Sequence, residues 1–194
     1  MDNNKSKISF HQTLKNSYDI KDKQKSAFKN QGFVYDSDLS NHNEQVYYNP
    51  SQKKLLYTVA GTHNLRDWGT DAWLAAGKLK DTNRYKEAKN ILEKAKKRYN
   101  PKDTTIAGHS LGGTISQYIA APTDKVFTLD KGATFGQKTR SNENAYRTAG
   151  DVVSLLNANS KRMKTLKNNN LSHTPYSYFS PFMQGWWMLM IAIV

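Results

Sequence analysis

The stretch Thr104-Thr105-Ile106-Ala107-Gly108-His109-Ser110-Leu111-Gly112-Gly113 decides how this chain folds. Thr104 to Ala107 is a short β-prone run. Beyond it, Leu111, Ile115 and Ile119 recur at four-residue spacing, which puts one apolar side on a helix that Pro122 ends. Ser110 therefore stands on a sharp turn between a strand and a helix, flanked by glycines because side chains there would collide with neighbouring backbone. With glycine and serine each near roughly 7%, Gly-x-Ser-x-Gly arises by chance in about one chain in fifteen of this length. The strand before it, the helix after it and the additional Gly113 set this occurrence apart.

Working outward, Asp81 to Tyr99 carries Tyr85, Ala88, Leu92, Ala95 and Tyr99 at spacings of three and four, leaving most of its lysines on the opposite face. Asp81 or Thr82 caps the start of this helix and Asn100-Pro101 stops it. Gln45 to Tyr48 and Leu55 to Ala60 read as a hairpin joined through Asn49-Pro50-Ser51-Gln52, and Lys125 to Leu129 reads as a further strand. Strand, helix, strand, helix, strand predicts an α/β fold with a largely parallel sheet flanked by helices. No internal repeat interrupts the order. Residues 1–44 form a polar, partly helical lead-in, 45–178 the α/β domain and 179–194 an apolar tail.

The chain has 194 residues, which suits one domain with a substantial core, and it has no cysteine. That excludes disulfides, thiolate metal sites and a cysteine nucleophile. A hydrophobic fraction of 37% excludes a multi-span membrane protein, and eleven tyrosines, seven phenylalanines and four tryptophans argue against disorder. Lys and Arg total 29 against 16 Asp and Glu, a net charge of +13 that suits an anionic partner. The lysines are scattered, and no RNP motif, zinc-finger spacing or Arg-rich arm is present, which argues against nucleic acid. The N-terminus has no apolar run and does not read as a signal peptide.

A serine on such a turn is the nucleophile of an α/β-hydrolase-like fold, and the helix behind it aims backbone N–H groups at an anion forming beside the serine. The serine needs a base, and the base an orienting acid, in the chain order serine, acid, histidine. Of His11, His42, His63, His109 and His173, only His173 follows Ser110. The acids between them are Asp124, Asp130, Glu143 and Asp151. Asp124 serves a turn after the helix, and Glu143 falls in a polar loop. Asp130 ends a strand, Asp151 occupies a loop at a sheet edge, and composition does not separate these two.

Three segments resemble the class 3 (fungal-type) lipases of the α/β-hydrolase superfamily. Val59-Ala60-Gly61-Thr62 with Asp67-Trp68 and Asp71 resembles the family's oxyanion strand, and Gly108 to Gly113 its nucleophile elbow. Gly150-Asp151-Val152-Val153 and Leu171-Ser172-His173 resemble its acid and histidine loops. The resemblance covers roughly residues 45–178. It implies Ser110, Asp151 and His173 as the catalytic triad, with Thr62 giving an oxyanion hydroxyl and N–H and Leu111 a second N–H. The family usually carries an Arg or similar residue where Ala60 stands, and a longer segment between acid and histidine. The shorter segment here leaves less material for an acyl pocket.

The resemblance implies hydrolysis of lipid or phospholipid esters without metal or organic cofactor. A peptidase or acyltransferase would use the same triad with another acceptor. A membrane-binding structural protein with a disused hydrolase fold would rest on the charge and the tail instead. Trp186 to Val194 is apolar over nine residues, fewer than the roughly 20 that span a bilayer. Its tryptophan pair suits a headgroup interface, and Lys161, Arg162, Lys164 and Lys167 lie upstream, where an anionic membrane surface would meet them. A last core strand or helix is the alternative reading of this tail.

Overall fold

The computed structural model of the chain describes residues 13–14, 28–62, 77–132, 139–149 and 162–166. The tail, 179–194, lies outside them. Seven strands form one sheet in sequential order: β1 (Val34–Tyr35), β2 (Glu44–Asn49), β3 (Lys54–Val59), β4 (Asp103–His109), β5 (Lys125–Leu129), β6 (Glu143–Thr148) and β7 (Met163–Leu166). The β1–β2 and β2–β3 pairs are antiparallel, and every pair from β3 to β7 is parallel. The sheet is thus largely parallel, with helices, as the strand and helix order predicts. Residues 28–44 contribute β1, and Phe28 and Phe33 pack with Tyr47 and Leu56 against the sheet.

Among the described residues, both crossover helices lie on one face. Helix α1 (Asn83–Tyr99) links β3 to β4, and α2 (Leu111–Ile119) links β4 to β5. Alternation along the strands explains the two cores. Leu55, Tyr57, Val59, Ile106 and Val126 face Ala88, Leu92 and Ala95 of α1 and Ile115 of α2. Ala107, Phe127, Leu129 and Tyr146 face the other way and meet Leu14. Lys86, Lys89, Lys94 and Lys97 are exposed, so the lysines of α1 solvate the face opposite its apolar stripe.

The ends of α1 follow its sequence signals. The Thr82 hydroxyl accepts from the Tyr85 N–H at 3.2 Å, which selects Thr82 over Asp81 as the cap. Asn100 adopts the left-handed conformation (φ 42°, ψ 57°) and its N–H closes on the Lys96 carbonyl at 2.9 Å. A buried polar anchor joins the C-terminal end of this helix to the segment before β2. The buried Asp36 carboxylate accepts from Arg98 at 2.8 Å and from the Tyr99 hydroxyl at 2.7 Å, both through Oδ2. Its Oδ1 caps the Asp38 and Leu39 N–H groups.

Burial alone would raise the Asp36 pKa, but the hydrogen bonds from Tyr99, Leu39 and Arg98 outweigh it and hold the carboxyl below its ordinary 3.8. A folded-state pKa below the unfolded one stabilises the fold above the unfolded value, and that contribution disappears as pH falls through the folded value. Asp36→Asn keeps the cap and removes the charge. It should cost about 1–2 kcal/mol at pH 7, and the gap to wild type should close below pH 3.8 in urea melts.

Candidate active site

The chemistry gathers at the carboxyl ends of the parallel strands, where α/β sheets bind ligands. Ser110 directly follows β4, Asp130 directly follows β5, and Thr62 lies three residues beyond β3. Ser110 takes φ 57° and ψ −128°, a conformation that L side chains rarely adopt and that costs on the order of 1–3 kcal/mol. Three contacts hold the turn there: the Ser110 N–H donates to the Leu129 carbonyl at 3.0 Å, and the Ser110 carbonyl accepts from the Thr114 N–H at 3.2 Å and the Gly132 N–H at 3.4 Å. A serine at a helix start ordinarily caps the first turn with its side chain. Ser110 does not, and its buried Oγ makes no hydrogen bond among the described residues. The hydroxyl is kept out of the helix's own bonding.

The glycines allow α2 to sit this close. A Cβ on Gly108 would come within 2.5 Å of the Ser116 hydroxyl, and one on Gly112 within 2.5 Å of the Ala60 carbonyl oxygen. One on Gly113 would stand 2.9 Å from Lys131 Cβ. The register pairs Val59 with Gly108, so Gly112 packs against the chain just as it leaves β3. This brings the exit of β3, which carries half-buried Thr62, alongside the first turn of α2. Leu111 opens that helix, so its N–H has no partner within it.

His109 is the buried last residue of β4, the elbow position expected of it. His63, Asp67, Trp68, Asp71, Asp151 and His173 lie outside the described residues. In chain order, Asp151 comes three residues after the end of β6 and His173 seven after the end of β7. Asp130 has φ 46° and is fully buried. Its Oδ1 accepts from the Thr148 N–H and its Oδ2 from the Thr148 hydroxyl, both at 2.5 Å, which ties the ends of β5 and β6 together.

Glu143 is not in a polar loop. It is the first residue of β6, fully buried, and accepts from Lys131 Nζ and Gln117 Nε2 at 2.6 Å and from the Thr128 hydroxyl at 2.7 Å. Its polar flanks Asn142 and Asn144 disguise the burial, which these hydrogen bonds offset. Desolvation outweighs the attraction of Glu143 and lowers the Lys131 pKa. Asp124, by contrast, serves the turn after α2 as expected, accepting from the Ala121 N–H and from Lys96. Sequence reading also passed over Arg84 and Glu44, a pair joined at 2.5 Å. A signal was available: Arg84 lies in the first turn of α1, where the helix dipole disfavours a cation and no acidic residue balances it. Among the described residues no cluster of three or more His, Asp or Glu is arranged to hold a metal.

A strained serine between a parallel strand and the helix packed behind it is the arrangement of the α/β-hydrolase fold. The chain belongs to the phospholipase-like family of the Tle-like phospholipase domain, whose family model matches residues 15–176. Among solved structures it is similar to Lip2 lipase from Yarrowia lipolytica, at 16% identity and TM-score 0.50, over 82% of this chain and 76% of that one. It is also similar to the Rhizomucor miehei lipase propeptide complex, at 15% identity and TM-score 0.48, over 75% of this chain and 61% of that one. A triacylglycerol lipase from Penicillium expansum matches at 15% identity and TM-score 0.45, over 87% and 80% of the two chains. No curated protein matches the sequence. At these identities the Yarrowia likeness speaks for the fold, and at that level the resemblance to fungal-type lipases holds.

The strain at Ser110 has a measurable consequence. Glycine accepts a positive φ without penalty, whereas alanine retains the strain. Ser110→Gly should therefore be more stable than Ser110→Ala by about 1 kcal/mol in denaturant melts. Equal stabilities, or a more stable alanine variant, would remove the strain from the account.

Proposed function

We propose that this protein is a serine hydrolase of lipid esters, acting on phospholipids through Ser110, His173 and Asp151. The observation that carries the reading is the Ser110 backbone, held at a positive φ above the sheet with its hydroxyl unused by the helix behind it. Membership of a phospholipase-like family supports the lipid ester, and the +13 charge supports a phosphate-bearing headgroup.

In this mechanism Ser110 Oγ attacks the ester carbonyl carbon while His173 takes its proton. The carbonyl oxygen becomes an oxyanion, held by the Thr62 hydroxyl and N–H and by the Leu111 N–H. Collapse breaks the bond to the alcohol, which leaves with the proton from His173. Water then attacks the acyl-serine, His173 again takes and returns the proton, and the carboxylate departs. Asp151 orients the imidazole and stabilises its charged form. Both oxygens of Asp130 accept from Thr148, which supports Asp151 over Asp130 as the acid. The apolar tail and the basic residues upstream of it attach the enzyme to anionic lipid. A soluble chain ended before Phe182 should no longer sediment with anionic vesicles.

A fluorophosphonate probe should label wild type at Ser110 and leave Ser110→Ala unlabelled. On short p-nitrophenyl esters, Ser110→Ala and His173→Ala should each lose activity by about 10⁴- to 10⁶-fold, since the groups act as a unit. Asp151→Asn should lose about 10⁴-fold in turnover with a normal melt, whereas Asp130→Asn should chiefly lower stability. The reverse order of the two aspartates would move the acid to Asp130. A folded wild type that neither labels nor turns over would favour a disused hydrolase fold.

A further inference from the structure

We infer that Arg84 is a positioning residue that fixes the oxyanion-binding segment after β3 against the first turn of α2. The inference rests on the oxyanion role proposed for Thr62 and Leu111. The Arg84 guanidinium is divided between two neighbours. Nη1 donates to Glu44 Oε1 at 2.5 Å, and Nη2 donates to the Ala60 carbonyl at 2.7 Å.

Ala60 is the first residue past β3, and Val59↔Gly108 is the last pair of the β3–β4 ladder. Past that pair the β3–β4 ladder ends. The Ala60 N–H is held by the Asn43 carbonyl at 2.8 Å, and its buried carbonyl by Arg84. On another side of the same oxygen lies Gly112, so close that a Cβ there would not fit. Ala60 is therefore clamped between the guanidinium and the nucleophile helix, two residues before Thr62. An oxyanion hole built from two segments works only if both donors lie about 2.7–3.1 Å from one oxygen, and a misplacement of about 1 Å costs roughly 100-fold in rate. The position of Ala60 sets that spacing.

Glu44 makes the clamp rigid. Its side chain is fully buried on β2 and pairs across the ladder with Val59, so the carboxylate that holds Arg84 is anchored to the same strand pair. A planar guanidinium fork can bridge a carboxylate and a carbonyl in fixed geometry, which an ammonium cannot reproduce. A cation in the first turn of a helix is otherwise a local conflict, and such conflicts collect at functional sites.

The test is steady-state kinetics on a soluble p-nitrophenyl ester with Arg84→Gln, Arg84→Lys, Thr62→Val and the Arg84→Gln/Thr62→Val double variant, each checked by thermal melt. Arg84→Gln should lower kcat about 10- to 100-fold with KM within about twofold. Thr62→Val should lower kcat about 100- to 1000-fold. The double variant should be little worse than Thr62→Val, because both changes act on one interaction. Where Arg84→Gln fails to fold, Arg84→Lys takes its place in the comparison, with the same signature expected. Unchanged kcat in a folded Arg84 variant, or losses that multiply in full, would overturn the inference while leaving the hydrolase reading intact. Failure of both Arg84 variants to fold would assign the residue to stability alone. An inactive wild type, or an unaffected Thr62→Val, would instead overturn the reading on which the inference rests.

Discussion

The approach of α2 to the sheet constrains everything around it. The helix begins at the residue after Ser110, and its first turn lies against the carbonyls of Val59, which ends β3, and of Ala60 just past it. No side chain fits at Gly108 or Gly112, and Gly113 leaves little room beside Lys131. With the helix so close, the chain can turn from β4 only through an unfavourable backbone at Ser110. That backbone is maintained by bonds from β5 and from within α2. Helix packing, strand register and the strained backbone of Ser110 are thus consequences of a single close contact.

Several buried acids are each paired with a basic side chain. Glu143 and Lys131 sit behind α2, Glu44 and Arg84 beside the exit of β3, and Asp36 and Arg98 at the far end of α1. Such pairs bring little net stability over apolar replacements, but removing one partner leaves an uncompensated charge. Their placement is specific. The Arg84–Glu44 and Arg98–Asp36 pairs join elements distant in sequence, the Lys131–Glu143 pair joins the chain just past β5 to the start of β6, and two of the three flank the turn that carries Ser110. In a chain with a large excess of cations, most of the described lysines are exposed, while a few acids are held inside.

Much of the fold was legible because it rests on local patterns. The period of α1, its Thr82 cap and the Asn100 stop are encoded within a few residues, as are the hairpin before it and the turn at Ser110. The short β1 was less visible, since two residues cannot establish a period. Glu143 was misread because its neighbours are polar and its partners, Gln117, Thr128 and Lys131, reach it only through folding. The same limit applied to the acids. Asp130 and Asp151 each follow a strand in chain order, and the Thr148 contacts that tie Asp130 to β6 arise only on folding. Arg84 illustrates a partial signal: its conflict with the helix dipole was readable, but the Glu44 and Ala60 groups that resolve it were not.

The sequential order of the seven strands bears on how the molecule assembles. Each strand pairs with the one just before it, so a chain emerging from its N-terminus can add every new strand to an existing edge without prising a formed pair apart. The hairpin of β2 and β3 needs the shortest loop and carries the least entropic penalty for closing. The turn at Ser110 cannot be completed at that stage. Its N–H bonds to Leu129 at the end of β5, which is made after β4 and α2. The strained geometry at Ser110 is therefore a late product of assembly, completed only once the strand beyond it has docked.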